Sequence, residues 1–82
     1  MWEPEALEAL GQLADYMPAA ARDALDAMER MAATGFNYGR LTSKGSLWYL
    51  PTAAKLGLFY HDDGRTLTVV DVVDARRLRE LP

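Results

Sequence analysis

The stretch Lys55-Leu56-Gly57-Leu58-Phe59-Tyr60, followed by His61-Asp62-Asp63-Gly64 and then by Thr66-Leu67-Thr68-Val69-Val70-Asp71-Val72-Val73, decides the fold of this 82-residue chain. Its two apolar runs are rich in aromatic and β-branched residues, and the Asp-Gly pair between them is a strong short-range signal for an antiparallel hairpin. The pattern predicts strands at 55–60 and 66–73, with His61 at the start of the turn. In the second strand Leu67, Val69 and Val73 alternate with Val70 and Val72. Both faces then read as apolar, which predicts a strand inside the sheet, covered by helices on one side and by other structure on the second. Asp71 falls in phase with Leu67, Val69 and Val73. A carboxylate there is either buried and paired, an arginine being the first candidate, or placed at an opening in the cover.

Working outward, a further strand is predicted at Ser46–Leu50, ended by Pro51 and preceded by a turn at Ser43-Lys44-Gly45 and a loop at Gly35–Arg40. Before the loop the hydrophobic period changes from that of a strand to that of a helix. Pro4 suits a first helical position, and Glu3, Glu5 and Glu8 sit where the helix dipole favours anions. Leu7, Leu10, Ala14 and Met17, with Leu13 beside them, line one face. Pro18 breaks this helix and starts a second, with Ala21, Leu25, Met28 and Met31 or Ala32 inward, until Thr34-Gly35 ends it. A connection this short makes the helices an αα-hairpin over about 4–34. An antiparallel sheet spans about 46–74, and a basic tail, 75–82, follows as a short turn or helix that Asp74 can cap. The class is α+β, in one domain.

Composition narrows the function. There is no cysteine, which removes disulfides, thiolate zinc sites and thiol nucleophiles. No apolar run approaches the roughly 20 residues of a membrane-spanning helix, and Met1-Trp2-Glu3-Pro4 lacks the start of a signal peptide, so a cytoplasmic protein without membrane contact is expected. Twelve acids against nine bases give a net charge of −3. The charge is unevenly placed. Residues 1–34 hold seven acids and two arginines, a balance of −5, while residues 35–82 hold five acids and seven bases, a balance of +2. Any surface for nucleic acid is expected on the second part.

His61 is the single histidine, and with Asp62 and Asp63 it lacks the spacing of a metal site; an exposed turn residue is the expected role. Ser43 and Ser46 have no nucleophile-elbow context, and the glycines form no phosphate-binding loop. No metal and no cofactor are expected. The aromatic residues of 47–50 and 59–60 suit a core, or stacking on bases. Arg76, Arg77 and Arg79, with Lys55 and Arg40, are the best phosphate contacts, because guanidinium groups grip phosphate with two prongs and stabilise charge on a transferring phosphoryl group.

The order of elements and several motifs resemble the RelE/ParE superfamily of toxin-antitoxin toxins. The motifs are Trp2-Glu3-Pro4-Glu5-Ala6 leading into the first helix, the alanine-rich second helix, Gly39-Arg40-Leu41, Leu47-Trp48-Tyr49-Leu50, Leu58-Phe59-Tyr60, and Val69-Val70-Asp71-Val72-Val73-Asp74-Ala75-Arg76-Arg77. The resemblance implies an αα-hairpin packed on an antiparallel sheet. It also implies the toxin of a type II toxin-antitoxin module, inhibiting growth and neutralised by a cognate antitoxin protein. Members similar to RelE are metal-independent endoribonucleases, mRNA interferases that cut messenger RNA in the ribosome by attack of a ribose 2′-hydroxyl; members similar to ParE inhibit DNA gyrase.

By position, the resemblance places Arg76 or Arg77 where the family has a late basic residue and matches Tyr60 to the tyrosine closing the middle strand; the candidate catalytic residues are then Arg76, Arg77 and Lys55, and the candidate RNA-binding residues Arg40, Lys44, Arg79 and Tyr60. The family commonly has an arginine three residues before the strand-closing tyrosine. Here that position is Gly57, and Lys55 is the nearest base. The late tyrosine is replaced by Leu78 and Leu81, and the strand that usually precedes the first helix is missing or cut to Met1-Trp2. A catalytically inert member of the fold acting as a protein-binding module is the second expectation. A winged-helix DNA binder ranks last, because its recognition helix would carry Asp23, Asp26 and Glu29 toward phosphates.

Overall fold

The computed structural model describes residues 1–52 and 55–74. Helix α1 spans Pro4–Ala14 and α2 spans Pro18–Thr34, each with proline at its start, and Gly35 ends α2 at φ 72° with its N–H donated to the Met31 carbonyl. Four strands follow: β1 (Arg40–Leu41), β2 (Leu47–Pro51), β3 (Leu56–Asp62) and β4 (Leu67–Asp74). They form one antiparallel sheet in the order β1-β2-β3-β4. Each chain reversal is local, so the sheet is a meander. The α+β class and the helical hairpin agree with the sequence pattern.

The details differ in informative ways. The buried stripe of α1 is Ala6, Leu10 and Leu13, while Leu7 is 49% exposed. On α2 the buried residues are Ala20, Ala21, Ala24, Met28 and Met31, and Ala32 faces out. Alanines on this stripe let the helix lie close to its neighbours; α1 packs on α2 and β4, and α2 on β3. The segment read as a loop ends in β1, two residues that pair Arg40 with Tyr49 and Leu41 with Trp48. Pro51 is the last residue of β2 rather than the residue after it. β3 runs on to Asp62, so His61 lies within the strand and not in the turn.

Among the described strands β4 is the last of the sheet and not a central one. Among the described residues, what lies beyond it is a short parallel contact with the amino-terminal residues: Trp2 bridges Val69, with Glu3 N–H to the Val69 carbonyl and Val69 N–H to the Met1 carbonyl, both at 2.9 Å. The double-sided apolar pattern of β4 has another cause. Tyr60 pairs with Val69 and Phe59 with Asp71, which leaves Val70 as the extra residue of a β-bulge. The bulge moves every later side chain to the opposite face. Val69 and Val72 therefore both point to the helices and are buried, whereas Asp71 is exposed on the other face. Asp71 is thus out of phase with Val69, and its Oδ1 accepts the Val72 N–H at 2.8 Å.

The core lies between the helical hairpin and one face of the sheet. Leu56, Leu58, Tyr60 and Val69 are fully buried there, with Trp48, Leu50 and Leu67 packed at its margin. Among the described residues nothing covers the second face. Residues 75–82, with the expected capped turn, lie outside the described residues.

Candidate functional site

The uncovered face of the sheet presents the side chains that alternate with the core. Strand register places Arg40, Tyr49, Phe59 and Asp71 side by side across β1 to β4, and Leu47, His61 and Thr68 in the next row. Tyr49 and Phe59 are half-buried, with ring centroids 5.0 Å apart and planes tilted by 48°. A cross-strand aromatic pair of this kind stabilises the hairpin and also offers a flat apolar surface for a stacked ring. Partial burial raises the Tyr49 phenol above its ordinary pKa, so it is a neutral hydroxyl at physiological pH.

Gly57 explains why no base stands at its position. The Tyr49 ring lies over it, and a Cβ there would come within 2.4 Å of Tyr49 Cε1. A side chain at this position would have to push the ring aside. The sequence showed the glycine, but only the register Pro51–Gly57 and the lean of Tyr49 show what fills its place.

Tyr60 belongs to the other face. It has no exposed surface, and its hydroxyl donates to Asn37 Oδ1 and lies 3.9 Å from Met31 Sδ. Asn37 Oδ1 also accepts the Gly39 N–H at 2.9 Å, and Asn37 Nδ2 donates to Asp62 Oδ2 at 2.9 Å. Burial raises the Tyr60 pKa, the hydrogen bond with the Gly39 backbone lowers it and the Asp62 charge raises it, for a net rise. The residue that the resemblance places against RNA therefore pins the loop after α2 to β3. Gly39 is part of the same joint, since a Cβ on it would fall 1.9 Å from the Tyr60 hydroxyl. Asn37 is the functional partner that sequence reading missed; an Asn in a loop gives no sign of a partner 23 residues away.

The other expected site residues that fall among those described lie at both ends of the sheet. Arg40 is exposed on the uncovered face. Lys44 is exposed in the β1–β2 turn, its N–H bonded to Thr42 Oγ1 at 3.2 Å. Lys55 sits at the opposite end, exposed, at φ 68°, in the turn where the Lys55 N–H donates to the Thr52 carbonyl. Lys55 and the Lys44 turn stand roughly 20 Å apart by strand rise, so one phosphate cannot engage both. Asp74 pairs with Leu56, so β4 delivers the chain to the Lys55 end. Arg76, Arg77 and Arg79 lie outside the described residues.

Two clefts flank the loop after α2. One, of about 430 Å³, is lined by Trp2, Met28, Phe36, Asp62 and Arg65 among others; the second, of about 360 Å³, lies between α2 and β2 beside Tyr38. Between them Phe36 and Tyr38 are stacked, centroids 5.7 Å apart, yet 67% and 57% exposed. Among the described residues no group of three His, Asp or Glu is placed to hold a metal ion, and no helix is long and apolar enough to cross a membrane.

Fold and face together define a two-layer α+β arrangement with one sheet face committed to the core and one that no other described residue covers. Comparison with family models, with curated proteins and with solved structures found no match.

Proposed function

We propose that this protein is the toxin component of a type II toxin-antitoxin module, of RelE/ParE-like fold, which inhibits growth by ribosome-associated mRNA cleavage or by gyrase inhibition and is neutralised by a cognate antitoxin. The observation that carries the reading is the open sheet face. A helical hairpin covers one side of a four-stranded meander, and the other side presents aromatic rings beside Arg40, on the less acidic part of the chain. The motif order along the chain supports the same reading. The test is controlled expression in a bacterial host. Growth arrest that the product of the adjacent gene relieves is the expected result; undisturbed growth and translation sink the reading. Replacing Arg76 and Arg77 by alanine is expected to abolish ribosome-dependent RNA cleavage, and retained cleavage would move the site elsewhere.

A second reading, an inert member of the fold that binds a protein partner, is favoured by one observation. Phe36 and Tyr38 form a stacked pair largely in solvent, an arrangement typical of an interface. A stable partner recovered without any toxicity would support it.

A further inference from the structure

His61 stands on the open face, and nothing in the reading above uses it. It pairs with Leu47 of β2, is exposed, and its Nδ1 lies 3.0 Å from the Ser46 carbonyl oxygen. A carbonyl only accepts, so in the neutral ring Nδ1 carries the proton and Nε2 is left as a bare acceptor. The backbone of the β1–β2 hairpin thus fixes the tautomer and orientation of the one imidazole in the chain. Its neighbours on the face are Leu47 and Thr68, and the next row holds Tyr49 and Phe59. The charged groups nearest in this arrangement are Arg40 and Asp71 at the two ends of that row and Lys44 in the turn before Ser46. The adjacent Asp62 turns to the other side, where Asn37 Nδ2 and the Gly64 N–H engage it. Asp63 is held within its own turn by the Arg65 and Thr66 N–H groups.

We propose that His61 is a general base acting on single-stranded RNA laid across this face. A base stacks on the Tyr49–Phe59 pair, Arg40 lies at the phosphate, and the neighbouring ribose reaches Nε2. Two residues along β3 separate Phe59 from His61 by about 7 Å, which leaves room for a ribose between stacked base and imidazole. In the step, Nε2 takes the proton of the ribose 2′-hydroxyl as the 2′-oxygen forms its bond to the adjacent phosphorus. The bond from phosphorus to the 5′-oxygen breaks, and that oxygen takes a proton from water. The products are a 2′,3′-cyclic phosphate and a 5′-hydroxyl, and the imidazolium returns its proton to solvent. No metal and no redox partner enters. The inference rests on the RNA-cleaving form of the proposed function, and it places the proton acceptor at the Ser46 end of the sheet, away from Lys55.

The test uses the full chain, ribosomes programmed with a defined messenger, and a five-nucleotide RNA as binding probe. His61→Asn keeps a donor for the Ser46 carbonyl while removing the base. It is expected to slow cleavage by about 10²–10⁴-fold while affinity for the pentanucleotide stays within about threefold. Tyr49→Ala is expected to weaken pentanucleotide binding by about 5–150-fold. Cleavage by His61→Asn at the wild-type rate overturns the proposal, as does binding that Tyr49→Ala leaves unchanged. Growth arrest by a wild-type protein that cuts no RNA also overturns it while leaving the toxin reading intact; absence of both arrest and cleavage removes the two together.

Discussion

The two faces of strand β3 were made from one sequence run and ended in opposite environments. Leu56, Leu58 and Tyr60 are fully buried under the helices, whereas Phe59 is half-buried and His61 exposed on the uncovered side. Two tyrosines make the contrast sharp. Tyr60 has its hydroxyl bound inside by Asn37, and Tyr49 lays its ring over Gly57 on the open side. The difference teaches that aromatic content does not separate core from binding surface in a small sheet. The partner that covers a face does.

The contrast predicts unequal costs for equal changes. Leu58→Ala empties a fully buried site and is expected to cost about 2–5 kcal/mol, a large share of the stability of a domain this small, read as a fall in the urea midpoint at constant slope. Phe59→Ala on the same strand removes a half-buried ring and is expected to cost less than Leu58→Ala despite deleting more atoms. Equal costs would show that the second face is also core.

The glycines give the next pair. A methyl on Gly39 meets the buried Tyr60 hydroxyl and, at 2.9 Å, the Tyr49 backbone carbonyl, neither of which has room to withdraw. Gly39→Ala is therefore expected to cost about 1–3 kcal/mol by overpacking. Gly57→Ala meets only the outer end of the Tyr49 ring, which can swing into solvent. A cost below about 1 kcal/mol is expected there, with a changed Tyr49–Phe59 ring-current pattern in NMR spectra as its clearest sign.

Tyr60→Phe tests the joint between loop and sheet more gently. Asn37 Oδ1 keeps the Gly39 N–H, so one net hydrogen bond is lost, about 1 kcal/mol. The same phenol gives a pH signature. Its folded pKa is raised above 10.0 by burial, so the unfolded chain loses this proton first, and the stability it contributes is full below pH 10.0 and falls away as pH rises toward the folded value. Tyr60→Phe should remove part of that alkaline loss, while the Tyr49 phenol, raised by partial burial, retains its own share. An unchanged alkaline profile would show that Tyr60 is not the group responsible.

The smallest effect is expected at the β3–β4 turn. Asp63 Oδ1 accepts the Thr66 and Arg65 N–H groups, which holds its carboxyl below 3.8. Its contribution is present above pH 3.8 and is lost as pH falls through the lowered value. Asp63→Asn should flatten this acid limb in a series of thermal unfolding curves, lowering stability at pH 7 by the small amount that the wild type loses in acid.

Much of the fold was legible because its signals are local. Pro4, Pro18 and Gly35 set the helix limits through backbone geometry that needs no distant partner. Asp62, Asp63 and Gly64 made the hairpin turn from side-chain bonds only two or three residues long. The candidate site was less legible. Arg40 lies on the open face as a phosphate contact requires, but Tyr60, for which the pattern allows core or base stacking and the resemblance implies RNA contact, is core, and His61, which the pattern places in the turn, is part of the face. Asp71 was misphased because an alternating pattern carries no mark of an inserted residue. One bulge at Val70 reverses the meaning of every position after it.

The sequence by itself determined the two helices, the three longer strands, their order and their antiparallel sense, since short connections and turn chemistry act over a few residues, while β1 emerged only from its pairing with β2. Only the tertiary structure decided which side of each strand meets the helices. That choice turns on the register of β4 against β3, on Tyr49 covering Gly57, and on Tyr60 reaching back to Asn37, all contacts between residues far apart in the chain. Period-two alternation assigns two faces to a strand without naming them; burial against a particular neighbour names them.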